Sequence, residues 1–224
     1  MNPFLHPARR RPGRRAALVA LLAFALPLGI ALRPAPSLAA GTSAQDQADI
    51  ARVETYLDSI RSLTADFSQI APDGSLSTGK LYMRRPDRVR FEYNPPSTSL
   101  VVADGTWIVF HDTALKQTTR LPLGGSPLSI LLAGKVELND QVTVKSIRRD
   151  PGALRITVFD TGKPKQGLLT LVFSDRPLAL RQWEVTDARG QTTTIALDHV
   201  ETNMPLTQNL FVYRDEAPRN GNMP

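Results

Sequence analysis

Few residues in this sequence are of types and spacings that could do chemistry. The chain has three histidines, His6, His111 and His199, and none shows a metal-binding spacing such as HxxxH. It has no GxSxG elbow, P-loop, GxGxxG or HExxH pattern. It has no cysteine, which excludes thiol catalysis, thiolate metal sites, disulfides and a lipidated N-terminal cysteine. We therefore predict no catalytic residue, no metal ligand and no cofactor, and expect the protein not to be an enzyme.

The carboxylates and the glycine-rich loop support the same expectation. Asp73, Asp87, Asp104 and Asp175 stand singly in predicted turns, where aspartate is favoured for turn formation alone. Gly124-Gly125-Ser126-Pro127 precedes a predicted helix but has no lysine partner for an anion, so we interpret it as a plain loop. The sequence offers no acid–base pair.

A cluster of bases raises the alternative of nucleic-acid binding. Arg84, Arg85, Arg88 and Arg90 alternate with aromatic residues in one predicted hairpin. The chain has 27 basic and 21 acidic residues, but residues 1–39 hold six arginines and no acid, which leaves 21 bases against 21 acids. The high pI thus belongs to the N-terminal segment, and we expect no nucleic-acid partner. Ordinary outward strand faces explain most of these bases.

The N-terminal segment has the order of a secretory signal. An arginine-rich start precedes an apolar run over Ala16–Leu32, and Ser37-Leu38-Ala39 supplies small residues for cleavage. A retained anchor is the rival, but Pro27 and Gly29 weaken a run that is already short for a bilayer. We expect residues 1–39 to be removed after Ala39, residues 40–224 to form one domain, and the protein to work in a bacterial periplasm. The export route stays open.

The remaining chain begins with helical spacing and continues with strand spacing. Apolar residues from about Asp46 to Leu63 recur at intervals of three and four, which predicts one amphipathic helix. Ten or eleven short strands follow at the spacing of an antiparallel sheet, with Asp73-Gly74 and Asp104-Gly105 as hairpin turns. A short apolar helix is predicted over Pro127–Gly134. A further edge strand is predicted over Leu210–Val212.

An ordered series of segments resembles the outer-membrane lipoprotein carrier proteins, LolA. The series comprises Asp66-Phe67-Ser68-Gln69, Gly79-Lys80-Leu81-Tyr82-Met83-Arg84-Arg85-Pro86, Leu100-Val101-Val102-Ala103-Asp104-Gly105, Pro127-Leu128-Ser129-Ile130-Leu131-Leu132, Gly167-Leu168-Leu169-Thr170-Leu171-Val172-Phe173 and Trp183-Glu184-Val185-Thr186-Asp187. It extends from about Ile50 to Val212. The resemblance implies an unclosed antiparallel β half-barrel with a helical lid over its apolar concave side.

The resemblance also implies a function and its partners. Carriers of this family accept acylated lipoproteins from an inner-membrane ABC transporter and deliver them to an outer-membrane receptor. The arginine before proline hydrogen-bonds towards the lid in the family, and here that residue is Arg85. Where many relatives carry a large aromatic residue facing the transporter, this chain has Val89, so we expect the docking contact to differ. We expect a monomer without cofactors.

Strand alternation and the apolar helix supply candidates for the surface that would bind acyl chains. They are Leu81, Met83, Phe91, Trp107, Val109, Ile130, Leu131 and Leu132. Such residues can equally serve as ordinary core, and an error of one residue in strand parity would move a side chain to the other face. The alternative function is a periplasmic module that senses lipid or peptide on the same half-barrel.

Overall fold

The amphipathic stretch near the N-terminus forms helix α1 (Ala44–Ser59) in the computed structural model, which describes residues 43–138 and 141–214. Ser43 caps the helix: its hydroxyl accepts the Asp46 N–H at 3.0 Å, and the Asp46 carboxylate accepts the Ser43 N–H at 3.3 Å. The helix ends at Ser59, four residues before the predicted end, because Ser62 already begins the first strand.

Eleven strands follow the helix. They are β1 (Ser62–Ile70), β2 (Leu76–Arg84), β3 (Arg88–Tyr93), β4 (Ser99–Asp104), β5 (Trp107–Asp112), β6 (Gln117–Pro122), β7 (Val142–Asp150), β8 (Ala153–Asp160), β9 (Gly167–Asp175), β10 (Leu178–Asp187) and β11 (Thr192–Thr202). All belong to one antiparallel sheet in the order β6-β5-β4-β3-β2-β1-β11-β10-β9-β8-β7. The edges β6 and β7 do not pair with each other, so the sheet stays unclosed.

The connection between the two edge strands carries the second helix. We call residues 123–138 the cover segment; it contains a 3₁₀ turn (Leu123–Gly125) and helix α2 (Leu128–Leu132). A helix of five residues is too short to be stable in isolation, so its apolar side chains must pack on the sheet. Ile130, Leu131 and Leu132 are all buried in the main core.

The two faces of the sheet differ in what covers them. We call the face under α1 and α2 the inner face and the opposite one the outer face. Inner-face residues of nearly every strand join the helices in one apolar core, which includes Leu63, Phe67, Leu81, Phe91, Ala103, Ile156, Leu171, Trp183 and Ile195. The core therefore lies between the sheet and its helices.

The predicted edge strand over Leu210–Val212 is wrong. Gln208–Phe211 instead forms a 3₁₀ turn that packs on β3 and β4. The Phe211 side chain is buried there, and Val102 and Val109 are buried on the outer face of the neighbouring strands. Burial of an aromatic side chain outweighs the β propensity of this three-residue run.

The predicted fold class is confirmed: the chain is mainly β, an unclosed antiparallel sheet of eleven strands with helices on one face. Every described residue lies in one compact unit, Ala40–Pro224, and the predicted secretory signal lies outside the described residues. Within residues 43–138 and 141–214, no helix has the length and apolar character needed to cross a membrane.

Candidate functional site

Arg85 connects the two helices. It follows β2 directly, and its side chain is only 4% exposed. Its Nε donates to the Ala133 carbonyl just after α2 at 2.6 Å. Its Nη1 donates to the carbonyls of Leu57 and Ile60 at the end of α1, the latter at 3.5 Å. One guanidinium thus donates to carbonyl groups at the C-terminal ends of both helices.

The electrostatics of this site favour a cation. Arg85 Nη2 lies 3.6 Å from Asp58 Oδ1, and it has no hydrogen-bond partner among the described residues. Burial lowers the pKa of the Arg85 guanidinium, and the nearby Asp58 carboxylate acts in the opposite direction. Arginine stays protonated in proteins, so the site holds a buried positive charge. That charge complements the negative end of the α1 dipole.

Two carboxylates of α1 hold the second half of the cover segment. Asp58 Oδ1 accepts the Val136 N–H at 2.9 Å, and Glu54 Oε1 accepts the Leu138 N–H at 2.6 Å. The two acids are four residues apart and therefore lie on one side of the helix. The N–H of Asp87 also donates to the carbonyl of Leu132, at 2.8 Å. Glu54 and Asp58 were not identified from the sequence, although two acids four residues apart on a predicted helix indicate a shared acidic face.

Helix α1 is itself fixed to the sheet by polar contacts. The Tyr56 hydroxyl accepts the Leu180 N–H at 3.0 Å, where a bulge in β10 interrupts the pairing with β9. Arg52 pairs with Asp175, and this contact lowers the pKa of the Asp175 carboxyl. These contacts keep α1 in place over the core.

The basic edge strand β7 also fixes α1. Arg149 pairs with Asp46 and Asp49 near the start of the helix, with the Asp49 contact at 2.7 Å. Arg149 lowers the pKa of the Asp46 carboxyl through this hydrogen bond. Sequence reasoning did not single out Arg149, because its partners lie a hundred residues away along the chain.

Six of the eight predicted lining residues come together. Leu81, Met83, Phe91, Ile130, Leu131 and Leu132 all belong to the main core between sheet and cover segment. Leu81 lies opposite Phe91 in the β2–β3 ladder, so both point to the inner face. The cover segment contributes the other side of this apolar contact.

The other two predicted lining residues lie on the opposite face of the sheet. Trp107 and Val109 of β5 point outwards, because Ile108 pairs with Ala103 of the main core and takes the inner position. The prediction was out of register by one residue on this strand. Val109 is nonetheless buried, whereas Trp107 is 42% exposed on the outer face.

Val89 does not lie where a partner could reach it. It pairs with Met83 on the inner face and is 1% exposed. Alternation along β3 puts Arg88 and Arg90, rather than Val89, on the outer face. The structure thus corrects the expectation of a transporter contact at Val89.

Three of the four hairpin arginines have intramolecular roles. Arg84 Nη1 donates to the Leu206 carbonyl at 3.4 Å, and Arg90 Nη1 donates to the Leu210 carbonyl at 3.2 Å. Both hold the C-terminal segment on the outer face. Arg85 serves the inner face, as described above. The basic cluster is therefore distributed over two faces of the sheet.

An aromatic cluster forms one wall of the core. Phe67 packs edge-to-face on Phe91 and Tyr93, with ring centroids 5.3 and 5.1 Å apart, and Phe91 lies 6.3 Å from Trp183. Burial raises the pKa of Tyr93 to about 12, and its hydroxyl donates to Gln69 Oε1 at 2.7 Å. These rings give this side of the core an aromatic carbon surface.

The two histidines among the described residues, His111 and His199, have ordinary partners. His111 Nδ1 lies 2.9 Å from the Tyr213 hydroxyl and 3.0 Å from Thr118 Oγ1. His199 Nδ1 lies 3.0 Å from an exposed Asp66 carboxylate. Within the described ranges, no three histidine or acidic side chains group as metal ligands would. Both contacts join side chains of the outer surface.

The arrangement suits an apolar ligand. A broad carbon surface lies beneath a short segment that polar contacts, chiefly from Arg85, Asp58 and Glu54, hold in place. Hydrocarbon chains carry no polar groups to satisfy, so displacement of the cover segment would suffice to expose a matching surface. The site offers shape and apolar area rather than reactive groups.

Known proteins resemble this chain along most of its length. The family profile of the outer membrane lipoprotein carrier protein LolA matches residues 58–214. A carrier protein of Methylococcus capsulatus is 30% identical over 174 residues, covering 74% of this chain and 83% of the relative. One from Dechloromonas aromatica is 33% identical over 179 residues, with the same coverage. A solved LolA superfamily protein from Nitrosomonas europaea gives a TM-score of 0.42 at 9% identity, covering 73% of this chain and 97% of that one. On the sequence matches, the chain belongs to the outer-membrane lipoprotein carrier protein family, LolA.

Proposed function

We propose that this protein is a periplasmic carrier that binds the acyl chains of lipoproteins between its inner face and the cover segment. The observation that carries the proposal is the continuous apolar core shared by the sheet and a five-residue helix. Leu81, Met83, Phe91, Ile130, Leu131 and Leu132 would contact the chains. The protein would hold and release its cargo without catalysing a reaction.

The energetics of acyl-chain binding require that opening of the cover segment costs free energy. Each methylene removed from water contributes about 0.8 kcal/mol, so one chain of about 15 methylenes gains roughly 12 kcal/mol in gross transfer. A carrier that kept this free energy could not deliver its cargo. Opening must break the Arg85 contacts and uncover buried leucines, which offsets part of the gain. Arg85 would thus act as the latch of the lid.

The proposal includes a direction of transfer. An inner-membrane ABC transporter would load the carrier, and an outer-membrane receptor would accept the cargo. The relatives are named outer-membrane lipoprotein carrier proteins, which supports the cargo class. The signal predicted over residues 1–39 would bring the protein to the periplasm, where it would work as a monomer and need no cofactor.

The test is release of a lipoprotein from membranes. Inner-membrane vesicles that hold the cognate transporter and a newly made lipoprotein are incubated with the purified protein and ATP. We expect a soluble one-to-one complex by size exclusion, and none when the lipoprotein's acylated cysteine is replaced by serine. If the folded protein releases nothing from vesicles but binds free lipopeptide, the proposal is refuted in favour of a sensing module on the same fold.

A further inference from the structure

The cover segment is fixed unequally at its two ends. Its second half receives the contacts of Arg85, Asp87, Asp58 and Glu54 described above. The first half leaves β6 at Pro122. There, the Leu123 N–H donates to the Thr106 carbonyl at 2.9 Å, and the Leu123 side chain is buried in the main core. An exposed Lys163 donates to the Gly124 carbonyl at 2.7 Å.

The stretch before α2 depends mainly on itself. Among the described residues, Ser126, Pro127 and Leu128 form hydrogen bonds only with one another and with their immediate neighbours in the cover segment. No charged side chain of the described chain clamps them to α1 or to the sheet. Fewer polar contacts therefore hold the stretch over residues 124–128 than the second half of the cover segment, and we expect this stretch to separate from the sheet first.

An apolar shelf lies beside this loosely held end. Phe110 pairs with Val101, and Leu121 pairs with Ile108, so Phe110 and Leu121 both point to the inner face. Phe110 is 42% exposed and Leu121 is 50% exposed, whereas Ile108 between them belongs to the buried core. The inner face thus continues as carbon surface from the core to the open edge at β6.

We propose that acyl chains enter over this shelf, between β6 and the first half of the cover segment, before the Arg85 contacts that hold its second half break. The proposal rests on the function proposed above and adds the route into the same site. The occupant is a saturated hydrocarbon chain, because the shelf is apolar and continuous with the surface proposed to bind it. Entry at this edge lets a chain slide inwards along Phe110 before the buried leucines of α2 separate from the core.

The chain provides a matched control for the test. Trp107 is as exposed as Phe110 and lies on the same strand, but it points to the outer face. We would compare Phe110→Glu with Trp107→Glu, and Leu121→Gln with Leu115→Gln, since Leu115 is exposed in the β5–β6 turn. Thermal unfolding shows that each variant is folded. If Phe110→Glu does not fold, the comparison of Leu121→Gln with Leu115→Gln tests the entry route on its own.

The probe is a synthetic tripalmitoylated S-glycerylcysteine peptide with brominated acyl chains, which quench nearby tryptophan. Trp183 lies in the core and reports arrival of the chains in stopped-flow mixing. We expect Phe110→Glu to lower the association rate about tenfold or more and Leu121→Gln to lower it severalfold, with both controls unchanged. Equal rates in inner-face and outer-face variants would refute the route. Absence of quenching in the unsubstituted protein would instead refute the proposed function.

Discussion

Replacement of Arg85 by leucine tests the contact that holds the cover segment. The change removes two charge-assisted hydrogen bonds, to the carbonyls of Ala133 and Leu57, and leaves Asp58 without its buried cation. A hydrogen bond to a charged group contributes about 1.5–3 kcal/mol, and the new leucine regains part of this through apolar burial. We therefore expect the closed state to lose roughly 3 kcal/mol, which raises the open population about a hundredfold.

The absence of native cysteine makes the opening measurable. Leu131 of the cover segment, which is buried against the core, is replaced by cysteine in every variant, and the rate of thiol labelling then reports the open population. Arg84→Leu is the control, because Arg84 is adjacent in sequence but bonds to Leu206 on the outer face at 3.4 Å. Labelling of Arg85→Leu at the control's rate would refute the latch, as would unchanged release of cargo to the receptor.

Two further predictions concern the core beside the site. Burial raises the pKa of Tyr93, so its hydroxyl binds the proton more tightly in the folded protein than in the unfolded chain. The free energy of unfolding should therefore fall by up to about 3 kcal/mol as the pH rises from about 10 to about 12. Urea titrations of Tyr93→Phe should lack this part of the pH dependence. A Cβ at Gly79 would lie 2.0 Å from the Glu92 carbonyl oxygen and 2.7 Å from the Phe67 ring. Gly79→Ala should therefore destabilise the protein by about 3 kcal/mol in denaturant unfolding, whereas Gly124→Ala, which meets no atom within 4 Å, should have little effect.

The strands were predictable because local signals mark them. Asp-Gly pairs stand at two hairpin turns, and the structure places Gly74 and Gly105 there with positive φ of 84° and 111°. The extent of α1 was less predictable, since the helical spacing continues into Leu63, which the structure assigns to β1. A periodic apolar residue looks the same at the end of a helix and at the start of a strand.

The site was predictable in part. Arg85 was identified through a family motif, and its contacts to both helices came only from the structure. The face of β5 could not be read from alternation, because Ile108 and Val109 are both buried. Val109 is buried on the outer face, which the C-terminal 3₁₀ turn with Phe211 also covers. Burial that depends on such a long-range contact leaves no local pattern.

The most direct test of the central claim uses the two tryptophans of the chain, which lie on opposite faces of the sheet. Trp107→Phe leaves Trp183 on the inner face, and Trp183→Phe leaves Trp107 on the outer face. Each variant is titrated with the brominated lipopeptide, and its deacylated peptide serves as the control. We predict quenching of Trp183 with little effect on Trp107. Quenching of Trp107 alone would contradict binding of acyl chains at the inner face.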